Sequence, residues 1–157
     1  MKKKILLALA GLPSKGNHGG AQTCLGIIFG LKEKYDVEIL SFMEENLYSD
    51  DKLQNEKFLN DNNIKINYIN IPNIDQNKLT KFQVIRNFFR PNVKSWYKWE
   101  NYTHQANETL NKIKPDIILC YHYEPLSALY KCNYRIIALM GDPTQELFKN
   151  SFLSKKK

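Results

Sequence analysis

Most of the residues in this chain with chemical potential fall in three short stretches: Gly16-Asn17-His18-Gly19-Gly20, Tyr121-His122-Tyr123-Glu124 and Gly141-Asp142-Pro143. A glycine pair ahead of a helix lets backbone approach a ligand closely, with N–H groups and the positive end of the helix dipole directed at an anion. Gly19 and Gly20 are therefore candidate phosphate contacts, with Asn17 and His18 beside them as substrate-binding candidates. His122 sits just past an apolar run, where an imidazole serves in hydrogen bonding or proton transfer near neutral pH. Glu124 and Asp142 suit hydrogen bonds to sugar hydroxyls or the orientation of a histidine. Each also has a plainer reading. The glycines would make a tight turn, His122 would be a packed or solvated loop residue, Glu124 an exposed loop acid, and Asp142 a helix cap.

The first loop departs from the two familiar phosphate motifs. Gly11-Leu-Pro-Ser-Lys-Gly16 has Walker spacing, but Asn17 and His18 stand where Lys and Ser or Thr must hold phosphate and magnesium. No G-x-G-x-x-G occurs, which leaves Glu44 and Glu45, at the end of the second apolar run, weak candidates for a ribose-binding acid. No serine or cysteine triad, paired-carboxylate motif or metal-ligand spacing stands out, so neither a metal nor a cofactor is expected. Cys24, Cys120 and Cys132 are odd in number and widely spaced, as reduced, small, buried residues would be.

The elements that must position these residues follow from hydrophobic periodicity. Lys4 to Ala10, Val37 to Phe42, Ile64 to Ile71, Asp116 to Tyr121 and Arg135 to Met140 read as strands. Between them, Ala21 to Lys34 and Asp50 to Asp61 read as helices, as do Lys78 to Phe89 and Pro125 to Tyr130. A further helix begins near Asn92, with Trp96, Trp99, Thr103, Ala106, Leu110 and Ile113 on one stripe until Pro115 stops it. Alternation of near-continuous apolar strands with helices predicts an α/β, Rossmann-like parallel sheet of about five or more strands with helices on both faces. Ligands in such sheets bind beyond the carboxyl ends of the strands, where strand order reverses, so the three stretches are expected to share one cleft.

Length and composition fit one globular domain over residues 1–157, and 3 cysteines among 157 residues exclude a disulfide-stapled chain. The formal charge of +7 is carried largely by Lys2, Lys3 and Lys4 and by Lys155, Lys156 and Lys157. The body between is nearly neutral, which argues against nucleic acid as a partner. The amino terminus imitates a signal peptide, but its apolar stretch is short and runs into a glycine-rich turn, so a buried first strand and a cytoplasmic chain are expected. The sequons at Asn101 and Asn107 then carry no meaning. Leu147 to Lys157 reads as a helix interrupted before it could pack, as in a domain incomplete at its carboxyl end.

Lys78 to Trp99 interleaves Lys81, Arg86, Arg90, Lys94 and Lys98 with Phe82, Phe88, Phe89, Trp96 and Tyr97 and contains no acidic residue. Such a stretch suits peripheral contact with an anionic membrane at its inner face, although aromatics at helical spacing also pack on their own sheet.

Taken in order, Lys3-Lys-Ile-Leu-Leu, Gly19-Gly-Ala-Gln22, Tyr35-Asp-Val-Glu-Ile-Leu40, Lys114-Pro-Asp-Ile-Ile118 and Asp142-Pro143 resemble the amino-terminal domain of GT-B glycosyltransferases, the retaining group that uses nucleotide sugars. The resemblance implies a transferase of surface or capsular polysaccharide biosynthesis, with this chain as its acceptor-side domain. Gly19 and Gly20 would sit near the donor diphosphate, and His122 and Asp142 would face the acceptor or transferred sugar. The implied partners are a nucleotide-sugar donor, held mainly by a further domain, and a glycan or lipid-linked acceptor. Gly141 stands where that family commonly has a histidine, and this domain alone is expected to be inactive. The rival reading is a noncatalytic Rossmann-like module that binds a nucleotide or metabolite through the glycine loop.

Overall fold

In the computed structural model, which describes residues 2–14, 19–44, 50–71 and 102–139, the apolar runs become five strands. Along the chain they are β1 (Lys4–Leu9), α1 (Gly19–Lys32), β2 (Asp36–Glu44), α2 (Asp50–Asp61), β3 (Lys65–Ile71), α3 (Thr103–Ile113), β4 (Ile117–Tyr121), α4 (Tyr123–Leu129) and β5 (Ile136–Leu139). The strands form one sheet in the order β3-β2-β1-β4-β5, and every neighbouring pair is parallel. Leu7 on β1 registers with Ile39 on β2 and Leu119 on β4, so an apolar row crosses the middle of the sheet. This is the expected α/β, Rossmann-like architecture.

Strand alternation divides the core between two faces. Ile5, Leu7 and Leu9 pack with Cys24, Leu25 and Ile28 of α1 and Leu59 of α2. Leu6 and Ala8 pack with Ala106, Leu110 and Ile113 of α3 and with Ala128 and Leu129 of α4. Strand β1 is thus covered on both sides, which is why its sequence is continuously apolar rather than alternating. The described part of the predicted stripe, Ala106, Leu110 and Ile113, is buried as the spacing requires. Its upstream members Trp96 and Trp99, and the whole basic, aromatic stretch from Lys78 to Trp99, lie outside the described residues.

Local chemistry ends the elements. Helix α3 stops where Lys114 takes a left-handed conformation (φ 52°, ψ 60°) and its N–H donates to the Leu110 carbonyl at 2.7 Å, one residue before Pro115. Helix α4 begins at Tyr123, ahead of Pro125, because a proline within the first turn sacrifices no helical hydrogen bond. Helix α1 begins at Gly19, two residues earlier than its apolar periodicity indicates. The glycine pair is therefore the first turn of the helix and not the bend before it, and no described glycine has a positive φ.

At the amino-terminal edge of the sheet, charged residues tie three strands together. Lys4 Nζ lies 3.0 Å and Lys65 Nζ 3.5 Å from the buried carboxylate of Glu38, and Asn67 donates to it at 3.0 Å. The Lys4 backbone N–H donates to the Asp116 carboxylate at 2.7 Å. This edge is closed by paired charges, so an open ligand site belongs at the opposite edge. Among the described residues no helix is long and apolar enough to cross a membrane.

Candidate functional site

Strand β1 is followed by a crossover to β2 on one side of it, while its other neighbour is β4. Strand order therefore reverses between β1 and β4, and the loops leaving their carboxyl ends diverge to opposite faces. That divergence makes a crevice in open parallel sheets. The elements at this point are the first turn of α1 and the short connection from β4 into α4.

The two elements meet at Gly20. A Cβ added there would lie 3.6 Å from the Tyr121 hydroxyl oxygen and 3.9 Å from His122 Nε2. The Tyr121 and His122 rings pack edge to face with centroids 4.2 Å apart, and both side chains are half-buried. Gly19, exposed and with nothing within 4 Å of an added Cβ, opens the helix. The Thr23 hydroxyl donates back to the Gly19 carbonyl at 2.9 Å across that first turn. No acidic residue occupies the first turn of α1, so its dipole is uncompensated there.

His122 has the least ordinary backbone of the described residues. Its φ of 67° and ψ of 175° fall in a region populated almost only by glycine, at a cost of about 1–3 kcal/mol for a side-chain-bearing residue. Two contacts hold it. The His122 N–H donates to the Leu139 carbonyl at 3.1 Å, extending the β4–β5 ladder by one residue, and the Cys120 thiol donates to the His122 carbonyl at 3.7 Å. The chain must then enter α4 at the next residue, so the reversal is compressed into His122. Strain of this kind concentrates at ligand sites.

Glu124 follows in the first turn of α4. Its Oε2 is buried and has no hydrogen-bond partner among the described residues. Burial, and secondarily the charge of Glu124, push the Cys120 thiol up to about 12. Burial alone raises Cys24 to about 11 and also raises Cys132. All three cysteines are free and buried, as their spacing predicts, and none is poised as a nucleophile. Among the described residues no group of three or more His, Cys, Asp or Glu side chains could hold a metal ion.

Of the residues singled out from sequence, the fold brings Gly20 and His122 together, places Gly19 at the helix start and sets Glu124 two residues beyond His122. Asn17, His18, Gly141 and Asp142 lie outside the described residues. Tyr121 lies in the second of the three stretches without a role assigned from sequence, yet its hydroxyl stands nearest to a Cβ added at Gly20. Its signal was its position, the last residue of a strand leading into His122.

The chain is similar in structure to a solved universal stress protein from Archaeoglobus fulgidus. The likeness has a TM-score of 0.43 and 7% identity, over 87% of this chain and 92% of that one. No protein-family model matches the sequence, and a search of curated proteins found no match. The resemblance to the amino-terminal domain of GT-B glycosyltransferases is corrected by this outcome: the solved neighbour is a universal stress protein, and no family supports sugar transfer. The transferase activity and the place in polysaccharide biosynthesis go with it. The physical reason is that the matching segments, an apolar first strand, a glycine pair and a proline-led fourth strand, are compatible with many parallel sheets of this order and specify no activity. At that similarity the neighbour assigns this chain no activity of its own.

Proposed function

We propose that this chain is a noncatalytic Rossmann-like module that binds a nucleotide or another phosphate-bearing metabolite at the carboxyl edge of β1 and β4. The observation that carries the reading is the packing of Gly20 against Tyr121 and His122 at the point where strand order reverses. With no Cβ at Gly20, a ligand reaches the backbone amides of the first turn of α1 and the polar atoms of Tyr121 and His122 together. Those amides and the uncompensated helix dipole suit a phosphate, and the imidazole donates to phosphate oxygens in either charge state. The described thiols are buried and held protonated, so none of them serves as a nucleophile here.

Isothermal titration of the 157-residue chain with inorganic tripolyphosphate and with each of the four common ribonucleoside triphosphates tests this. Saturable binding by at least one, weakened about tenfold or more in Gly20→Leu, is the expected result. Absence of binding at millimolar ligand by a folded chain refutes it.

A further inference from the structure

We draw no further inference here: the strongest candidate, the apolar strand β5 at the edge of the described sheet, where Ile137 and Ala138 stand exposed, carries nothing because nothing in the structure shows what covers it.

Discussion

Gly20 and His122 are neighbours in space although one opens the first helix and the other closes the fourth strand: a Cβ on Gly20 would lie 3.9 Å from His122 Nε2. That distance is ordinary van der Waals contact, so glycine is not required there for the chain to fold. Nor does its backbone demand it, since its φ is negative. What the missing side chain leaves is access to the amides beneath it.

Stability and binding should therefore part at this position. Gly20→Ala removes a helix-destabilising glycine and is expected to gain about 0.5–1 kcal/mol, read as a rise of a few degrees in Tm. Phosphate binding in the same variant should weaken, and Gly20→Leu should weaken it further. A Gly20→Ala protein that binds as wild type would mean that the ligand does not approach over this residue.

The backbone of His122 makes a second prediction that needs no ligand. At a position of ordinary φ, alanine is at least as stabilising as glycine. At φ 67° and ψ 175° the order inverts, because only glycine enters that region without a Cβ penalty. Both substitutions lose the ring contact with Tyr121, so their difference isolates the backbone. His122→Gly is expected to exceed His122→Ala in unfolding free energy by about 1–2 kcal/mol in urea denaturation. Equal midpoints would show that the strain is absent in solution.

The architecture was readable because it rests on patterns that burial enforces. Leu6 and Leu7 are both buried, so β1 had to be apolar at successive positions, and Ala106, Leu110 and Ile113 had to fall at helical spacing. The meeting of the β1 and β4 ends, where Gly20 approaches Tyr121 and His122, followed from the expected parallel sheet. Finer features were hidden for equally physical reasons. The start of α1 at Gly19 left no local signal, because glycines score poorly as helix formers. The contact of Tyr121 with Gly20 is long-range and leaves no trace in local periodicity. The family resemblance failed because its motifs specify a parallel sheet and little beyond it.

Thiol accessibility offers a third check. Burial, with help from Glu124, holds the Cys120 thiol near 12, and burial holds Cys24 near 11. Because both values exceed those of the unfolded chain, the stability they contribute is full below the ordinary thiol range and is lost as pH rises through these raised values. At pH 8 the native protein is expected to react with a thiol reagent such as DTNB at a small fraction of the rate seen in urea, where all 3 cysteines should titrate. Fast native labelling at Cys120 would contradict the packing of β4.

The ionic cluster at the closed edge predicts how the fold responds to acid. Desolvation pushes the Glu38 carboxyl up, but hydrogen bonds from Lys4 and Asn67 and the charges of Lys4 and Lys65 outweigh it, so the net shift is downward. A carboxyl lowered by folding contributes stability that is present above its unfolded value and is lost as pH falls through its folded value. Lys4 moves the opposite way, raised chiefly by its hydrogen bond to Glu38, so its share persists into the alkaline range and is lost as pH rises past its folded value. Lys65 is largely exposed and Lys4 partly so, which screens the pairs and limits the benefit to about 1–3 kcal/mol. Glu38→Gln should lose that amount at pH 7, and the gap from wild type should close as the solution is taken below the usual glutamate range. A gap independent of pH would mean that Glu38 contributes through packing and its neutral hydrogen bond alone, and that charge does not hold β1, β2 and β3 together at this edge.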